Sequence, residues 1–407
     1  MRVRVFVHVG LGQFGLRGAA GEKAGFTRDF ALSLLYGVMV LMEKSYKNHG
    51  TVTQHPDSSA LERPVTARRL DDTSPAPCPL GVIVTSRGQV PPDGNVLACM
   101  RFGTAPVAGN GADDPRVIPI PLPQLEEACD VSWVSTTRVH TGVIDHFRYA
   151  CNDEVLFGWL HLGEDELRTM ERTVKRAYVM LDLTLNRLGY PHWLRVWNYL
   201  AHINQGDGDQ ERYRLFSLGR HHALALKPGF EKVLAAATGI GTQASGLTLC
   251  VAAGRQPGAV QVENPRQVSA FQYPRQYGPR SPSFSRATLR RWRDRTVLFI
   301  SGTASVVGHA SLHHGQPAAQ LEETLRNIDA LVAHAAERNF PDVRPDFGPV
   351  LFTVYVRAPE IFEAVRDAVE QRLRTRAPTI VLQGDICRHD LLLEVEAYYA
   401  WEHPAGQ

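Results

Sequence analysis

Apolar positions recur with two different periods along this chain, and segments of the two kinds alternate. Helical spacing of apolar residues at 164–187, 318–339 and 360–374 predicts three amphipathic helices. Short apolar runs bounded by loops rich in Pro and Gly predict strands. These strands lie at residues 81–86, 96–102, 131–141, 155–162, 193–203, 247–253, 297–301 and 349–357. The segment 193–203 is also compatible with a helix, and the alternation of its residues favours a strand. Two further strands, 379–386 and 391–398, are predicted to form a closing hairpin around a tight turn.

The middle of the chain contains shorter segments. Residues 211–218 and 220–226 flank what the pattern indicates to be a short polar loop, and residues 232–237 are typical of a short helix. Residues 260–286 form a long run dense in Pro, Arg and aromatic residues, too polar for a core and too aromatic for a linker. Long ordered loops in compact folds are usually functional, so this loop is a candidate for binding.

The order of the elements predicts an α+β fold with mixed β-sheets and helices packed on one face. At 407 residues the chain exceeds one average domain. We expect a leader or disordered segment at 1–78, an N-terminal α+β domain at 79–255 and a C-terminal domain at 256–407. The C-terminal domain has the order β–α–β–α–β–β. The N-terminal domain has a similar strand-rich start and one long helix. A divergent copy of the same unit is one interpretation, although the sequence shows no clear repeat.

The first 78 residues stand apart from the rest of the chain. Residues 30–41 are an apolar run that is too short for a membrane span, and no clear small-residue cleavage site for a signal peptide follows it. A translation start at Met39 or Met42 would leave the first forty residues untranslated, and a disordered leader is the other interpretation. Residues 43–78 are polar and rich in Thr, Asp, Arg and Pro, which is typical of a disordered or loosely attached segment.

Composition narrows the classes of function. The formal net charge of +2 gives no electrostatic reason to expect nucleic acid or an anionic membrane as a partner. The six cysteines are scattered without a CxxC pair, which indicates neither a zinc site nor a disulfide framework and favours a reducing, cytoplasmic compartment. The adjacent histidines at 221–222 and 313–314 lack chelating spacing. The sequence has no dinucleotide-binding, P-loop or GxSxG motif, so we expect no metal and no cofactor.

A thiol and a carboxylate stand out in the apolar sequence near the end of the chain. Glu394 and Glu396 alternate along a predicted strand and therefore share one face. A carboxylate that faces a closed apolar cavity has a raised pKa and can act as a general acid, whereas on an exposed face it would be ordinary. Cys387 precedes Arg388, and a nearby cation would favour the thiolate. The alternative is a small buried side chain, the usual fate of a lone Cys.

Arginines and tyrosines cluster in the long loop and shortly before it. They are Arg220, Arg266, Arg275, Arg280 and Arg286, with Tyr213, Tyr273 and Tyr277. Arg suits bidentate capture of carboxylates, and Tyr adds a directional hydroxyl. The cluster indicates a dianionic organic substrate, and the alternative is a solvated basic loop.

With these residues in view, the chain resembles the chorismatases, a family of chorismate-converting enzymes that share the YjgF/Rid (chorismate mutase-like) fold of the reactive-intermediate deaminases. The resemblance runs from about residue 80 to the end and is most specific in the last 150 residues. The matching stretches are 273–287 (YPRQYGPRSPSFSRA), 298–309 (LFISGTASVVGH), 323–328 (ETLRNI) and 384–394 (GDICRHDLLLE).

The resemblance implies roles for individual residues. Glu394 falls at the position of the family's acid, which protonates the enolpyruvyl ether of chorismate so that pyruvate leaves, with no metal or cofactor. Aromatising members carry Gly and Cys where hydrolytic members carry Ala, and this chain has Gly302 and Cys387. The resemblance therefore implies formation of 3-hydroxybenzoate, or of 4-hydroxybenzoate as well. The substrate-binding candidates that it implies are Tyr213, Arg220, Tyr273, Gly302 and, from the cluster 372–376, Arg372.

Three alternatives stay open at this point. The first is a chorismate hydrolase that yields a dihydroxycyclohexadiene carboxylate and pyruvate. The second is an enamine or imine deaminase, which the shared fold favours but the extra N-terminal half and the Arg/Tyr loop do not. The third is a ligand-binding module without catalysis. The oligomeric state is open too, because deaminase relatives are homotrimers with sites between subunits, whereas a chain of two halves can supply part of that contact internally.

Overall fold

The computed structural model describes residues 76–89, 95–104 and 114–404. The predicted leader therefore lies outside the described residues, except for residues 76–78. Two of them contact the second half of the chain, because the Cys78 amide donates to Asp294 Oδ1 at 2.6 Å and the Ala76 carbonyl accepts from the Arg293 amide. The described fold thus includes three residues that the prediction placed in the leader.

Within the described residues the chain forms four α-helices and nineteen strands. The helices are α1 (Met170–Leu188), α2 (Arg212–Leu224), α3 (Pro317–Asn339) and α4 (Pro359–Val369), and a π-helical turn, Glu370–Arg374, follows α4. The strands up to residue 254 are β1 (Leu80–Ser86), β2 (Val96–Phe102), β3 (Val117–Ile120), β4 (Cys129–Ser135), β5 (His140–Ile144), β6 (Phe147–Cys151), β7 (Val155–Leu162), β8 (His192–Ala201), β9 (Ala236–Thr242) and β10 (Leu247–Gly254). The later strands are β11 (Ala259–Val262), β12 (Ala287–Arg291), β13 (Arg295–Thr303), β14 (Val306–Val307), β15 (Ala310–Ser311), β16 (Gly348–Val356), β17 (Thr379–Gln383), β18 (Asp385–Ile386) and β19 (Leu393–Glu402).

These strands form three main sheets and one short ribbon, β14-β15. The N-terminal sheet has the order β1-β4-β2-β3, the first large sheet β18-β9-β8-β10-β7-β6-β5, and the second large sheet β11-β12-β13-β19-β16-β17. Each large sheet contains one parallel pair, β8 with β9 and β16 with β17, and its other pairs are antiparallel. Both large sheets are therefore mixed sheets with helices, as predicted.

The two large sheets repeat one topology. The first is built in the chain order β5-β6-β7-α1-β8-α2-β9-β10, and the second in the order β11-β12-β13-α3-β16-α4-β17-β19, with corresponding strands in the same spatial order and direction. This repeat supports the interpretation of a divergent copy, although the sequence does not show it. The exception is β18, which leaves the second half and pairs with β9 of the first large sheet. The division into domains at residue 255 stays a prediction.

Helices pack on one face of each large sheet, and the other faces share a core. Val174 of α1 packs in one apolar cluster with Val196 and Val251 of the first sheet, and Leu325 of α3 packs in another with Val395 of the second. A third cluster joins the remaining faces of both large sheets to the N-terminal sheet.

Trp133 of β4 is central to that third cluster. Its ring lies 6.1 Å from Trp197 of β8, 5.9 Å from Phe299 of β13 and 5.1 Å from Tyr398 of β19. Large aromatic side chains bury much apolar area. Trp133 therefore stabilises the contact of all three sheets at one point.

Two predicted elements in the middle of the chain are wrong. The predicted loop between 218 and 220 is the interior of α2, because Gly219 packs against α1, where a Cβ would lie only 2.4 Å from the Glu171 carbonyl oxygen. A glycine inside a helix that allows close packing cannot be distinguished in the sequence from a glycine that ends a helix. The predicted helix 232–237 is a turn that leads into β9, whose small residues Ala236 and Ala237 are buried.

The prediction of a closing hairpin is also wrong. β17 pairs with β16 in parallel, and β19 lies between β13 and β16, so the two predicted hairpin strands do not pair with each other. Between them the chain crosses to β9 through Gly384, where a Cβ would lie 2.6 Å from a methyl group of Ile240. Alternation of apolar residues predicts a strand but does not identify its partner.

Candidate active site

A cavity of about 520 Å³ lies where the two halves of the chain meet. Its walls come from α2 and β9 of the first half, and from the loop 263–286, β13, the turn 387–391 and β19 of the second half. Six of the seven residues predicted for the site line it: Tyr213, Arg220, Tyr273, Gly302, Cys387 and Glu394.

Glu394 is the second residue of β19 and lies across from Tyr355 of β16. Its side chain is buried, with 5% of the residue exposed. No group of the described chain donates a hydrogen bond to its carboxyl. Burial, and then the negative charge of Glu396, raises the pKa of Glu394 to about 8, although Arg195 and Arg286 oppose the rise. Near neutral pH the side chain is therefore mostly a neutral acid, which can donate a proton into the cavity.

Gly302 forms the surface on which this carboxyl rests. The pairing of β13 with β19 is irregular between Ile300 and Thr303, and Gly302 lies in that bulge. A Cβ at Gly302 would lie 1.7 Å from Glu394 Oε1, which is inside the carboxyl group. The observed position of the acid therefore requires glycine at 302.

Glu396 shares the face of Glu394, as predicted, but has several partners. Its Oε2 accepts from Arg195 at 2.7 Å and from the Thr238 hydroxyl at 2.8 Å, and its Oε1 accepts from Trp197 Nε1 at 3.2 Å. The expectation of an exposed strand face is thus excluded for both carboxyl groups. Only Glu394 is left free to act on a ligand.

Cys387 lies beside Glu394 in the cavity wall, with Tyr213 next to its sulfur. Burial, and then the charge of Glu394, raises the pKa of the thiol to about 12, although Arg388 lowers it. The expectation that Arg388 favours a thiolate is therefore wrong. Arg388 instead lies 4.0 Å from the ring centre of Tyr277 and donates to the His309 carbonyl at 2.8 Å. Cys387 is a neutral thiol.

Two guanidinium groups of the cavity wall have unused donors. Arg220 of α2 is buried, lies 5.2 Å from the ring centre of Tyr178, and its Nε has no hydrogen-bond partner among the described residues. Arg286 donates to the Tyr273 hydroxyl at 2.6 Å and to the Val268 carbonyl at 2.8 Å, and its Nε also lacks a partner there. Buried cations of this kind suit an anionic ligand.

Arg372 is the predicted site residue that the structure does not bring to the cavity. Its side chain is 47% exposed and pairs with Glu322 at 2.7 Å. Of its neighbours in the cluster, Arg374 pairs with Glu126, and Arg376 donates to the Tyr399 hydroxyl. A residue held at the surface by these contacts does not reach the cavity, so the structure does not bring Arg372 to the predicted site, whereas Arg286 lines the cavity.

Other arginines of the long loop hold the loop in place. Arg266 pairs with the buried Glu323 of α3, and Arg275 pairs with Asp209. Glu323 belongs to the stretch 323–328 that carries the resemblance, so that stretch anchors the loop and does not line the cavity.

Sequence reasoning missed Thr238 and Arg195. A signal was present for Arg195, because it is a single charge within the apolar strand 193–197 and a buried charge requires a partner. Thr238 carries no comparable signal, since a threonine in a strand is ordinary.

Among residues 76–404, in so far as they are described, no group of three His, Cys, Asp or Glu side chains is placed to hold a metal ion. No helix in the same residues is both long and apolar enough to span a membrane.

The fold and the cavity thus combine two buried arginines with a buried carboxyl, which is an arrangement typical of an enzyme for a small anionic molecule. Residues 131–253 match the family model described as Chorismatase FkbO/Hyg5-like, N-terminal. A chorismatase of Streptomyces rapamycinicus is 36% identical over 287 residues, which cover 68% of this chain and 83% of that protein. A 3-hydroxybenzoate synthase of Streptomyces hygroscopicus is 33% identical over 320 residues, which cover 75% and 92%. A chorismatase crystal structure covers 78% of this chain and 98% of its own, with a TM-score of 0.70 and 30% identity. The chain belongs to the chorismatase family.

Proposed function

We propose that this enzyme converts chorismate into 3-hydroxybenzoate and pyruvate, with Glu394 as the general acid. The observation that carries the proposal is the Glu394 carboxyl, which is buried, mostly neutral near pH 7 and free of protein partners where it faces the cavity. The relative named 3-hydroxybenzoate synthase favours this product over the others.

The chemistry follows from proton transfer to the enol ether. Glu394 gives its proton to the methylene carbon of the enolpyruvyl group, which makes the ether carbon oxocarbenium-like and turns the side chain into a pyruvate leaving group. The C4 oxygen then bonds to C3 as the bond from C3 to the ether oxygen breaks. The resulting arene-oxide-like ring opens at the bond from C4 to oxygen, and the C3 proton passes to the Glu394 carboxylate, which makes the ring aromatic and restores the acid. No water is consumed, so chorismate gives one 3-hydroxybenzoate and one pyruvate.

The remaining cavity residues hold the substrate and guide the intermediate. Arg220 and Arg286 bind the two carboxylates, and the hydroxyls of Tyr213 and Tyr273 orient them. The neutral thiol of Cys387 assists the proton rearrangement that precedes aromatisation. Because Gly302 leaves the Glu394 carboxyl close against β13, the acid keeps the position that aromatisation requires.

The test is incubation of the purified protein with chorismate, followed by chromatography of the products. We expect 3-hydroxybenzoate and pyruvate in equal amounts. A dihydroxycyclohexadiene carboxylate with pyruvate would identify a hydrolase, and 4-hydroxybenzoate beside the 3-isomer would extend the product range. Binding of aromatic acids without turnover of chorismate would contradict the proposal.

We further propose that each half of the chain is a copy of the YjgF/Rid-like fold. The repeated strand order and the repeated positions of the two helices support this proposal. A homotrimer like that of the deaminases is then the alternative to a single chain whose two halves supply the contact, and the molar mass in solution distinguishes the two.

A further inference from the structure

A buried polar network lies next to Glu394 and Gly302, and its centre is the Thr238 hydroxyl of β9. This oxygen accepts a hydrogen bond from the Gly302 amide at 2.9 Å and another from the Arg195 guanidinium, and it donates to Glu396 Oε2 at 2.8 Å. A hydroxyl offers one donor and two acceptor positions, and all three are used here. Its orientation is therefore fixed.

The Arg195–Glu396 ion pair gives the network its charge. Its two side chains are 2% and 12% exposed, and Arg195 Nη1 has no hydrogen-bond partner among the described residues. A buried pair with incomplete hydrogen bonding adds little net stability compared with apolar side chains of the same size. Its effect therefore has to be sought in the groups around it.

Gly302 is the link between this network and the acid. Its amide is held by Thr238, and its Cα supports the Glu394 carboxyl so closely that a single added carbon would overlap it. A shift of the bulge by a few tenths of an ångström would displace the carboxyl. The network thus reaches the acid through one backbone hydrogen bond.

We propose that Thr238 is a positioning residue, which couples the Arg195–Glu396 pair to the bulge at Gly302 and thereby fixes the Glu394 carboxyl in the cavity. This inference rests on the proposed role of Glu394 as the acid.

Charged and titratable groups face Glu394 from several elements. Glu396 lies on its own strand, Arg195 on β8, Arg286 on the long loop, Tyr213 on α2 and Cys387 on the turn before β19. Of the charged groups, Glu396 has the largest effect and raises the pKa of Glu394. Removal of the Glu396 charge therefore moves the pKa of Glu394 down.

The first experiment compares Thr238→Val, Thr238→Ser and Ser301→Ala in chorismate turnover. Ser301 is the matched control, because its hydroxyl also joins β13 to β9, accepting from the Ala237 amide at 2.8 Å, but it contacts neither the ion pair nor Glu394. Loss of the Thr238 hydroxyl leaves buried groups unpaired, so Thr238→Val should lower kcat by about 10- to 100-fold. Its products should also contain more of the dihydroxycyclohexadiene acid. Thr238→Ser keeps the hydroxyl and should restore most of kcat and the product ratio. Ser301→Ala loosens the same bulge without contacting the ion pair, so it should lower kcat less than Thr238→Val does.

The second experiment keeps the proposal testable if Thr238→Val does not fold. Glu396→Gln keeps the shape and removes the charge, so the fall of kcat at high pH should begin at lower pH than in the parent enzyme. The proposal is overturned if Thr238→Val loses no more kcat than Ser301→Ala, or if Glu396→Gln, which weakens the hydrogen bond from the Thr238 hydroxyl, keeps both the kcat and the high-pH limb of the parent enzyme. Full activity of Glu394→Gln, measured alongside, would instead remove the proposed acid, so the two failures are distinguishable.

Discussion

Two glutamates that lie two residues apart on β19 and face the same way have very different surroundings. Glu396 is held by a cation, a hydroxyl and an indole, whereas Glu394 has no hydrogen-bond partner in the described protein and rests on a glycine. The sequence predicted that they share a face, because alternation along a strand is a local property. It could not predict which would be paired, because Arg195 and Thr238 come from strands about 200 and 160 residues earlier.

The buried acid should reduce stability as pH rises. The pKa of Glu394 is about 8 in the folded protein and about 4.3 in an unfolded chain, so the folded state binds the proton more tightly. The contribution of this proton to the free energy of unfolding is therefore lost as pH rises from about 4.3 to about 8. Because Gln has no proton to give, Glu394→Gln should abolish turnover, and it should still bind chorismate. Its melting temperature should be close to that of the parent at pH 5 and clearly higher at pH 8. An equal difference in melting temperature at both pH values would show that the carboxyl is not buried in its neutral form.

Cys387 should influence the product more than the rate of proton transfer. Because the thiol is neutral, its replacement removes a proton carrier and not a charge. Cys387→Ala should shift the products toward the dihydroxycyclohexadiene acid, as measured by chromatography. Cys387→Ser is the matched control and should keep more of the aromatic product. An unchanged product ratio in Cys387→Ala would remove the residue from this role.

Gly302→Ala should displace the acid. The added methyl group would overlap the Glu394 carboxyl, so the side chain must rotate away and we expect kcat to fall by at least about tenfold, the equivalent of 1.4 kcal/mol. The control is Gly348→Ala, because a Cβ at Gly348 meets no atom within 4 Å. Equal kinetics of the two variants would contradict the role of Gly302.

At the scale of elements, α3 shows how the site is supported from behind. Its buried face carries polar side chains, and they tie together the loops around the cavity. Gln320 Oε1 accepts from the Leu392 amide at 2.8 Å, and its Nε2 donates to the Asp390 carbonyl at 2.9 Å. Asn327 donates to the Ala304 and Val306 carbonyls. These contacts hold the segment that carries Cys387 and Glu394.

Gln320→Leu should therefore destabilise the protein and lower activity together. The variant leaves a buried amide and buried carbonyls without partners, which costs about 1–3 kcal/mol for each unpaired group. Urea unfolding measures the loss. Arg326→Ala, on an exposed position of the same helix, should stay within about 0.5 kcal/mol of the parent. Parent-like stability of Gln320→Leu would show that the loops are held by other contacts.

The helices and most strands could be predicted because the apolar periodicity of each segment is a local property of its own sequence. The partner of each strand could not. β17 and β19 look like a hairpin in sequence, yet both pair with β16, on opposite sides of it. Likewise, Arg372 and Arg286 are equally plausible anion binders as residue types, and only the course of the chain places one at the surface and the other in the cavity.

At the scale of the whole molecule, the two large sheets repeat one topology, and Glu394 belongs to the second of them only. In the first large sheet, Thr248 of β10 lies across from His161 of β7, and these two side chains hydrogen-bond to each other at 3.0 Å. The first half supplies walls for the cavity through α2 and β9, and the second half supplies Glu394, the proposed acid.

Since both halves of one chain line the cavity, the active unit should be a single chain. We expect specific activity with chorismate to stay constant on dilution, and the molar mass at the lowest active concentration, measured by light scattering, to match one chain. Activity that falls in step with dissociation of an oligomer would contradict this and favour a site completed by a second subunit.

β18 and β19 also bear on the order in which the protein forms during synthesis. β9 receives its last neighbour from residues 385–386, and the second sheet is closed by residues 393–402, which insert between strands made about 45 to 100 residues earlier. A nascent chain that has completed the first half therefore still has an open sheet edge at β9 and no cavity. Glu394 is translated after almost all of its surroundings, so the cavity forms only when the second half folds back on the first. Until then the open edge of β9 needs protection from other chains.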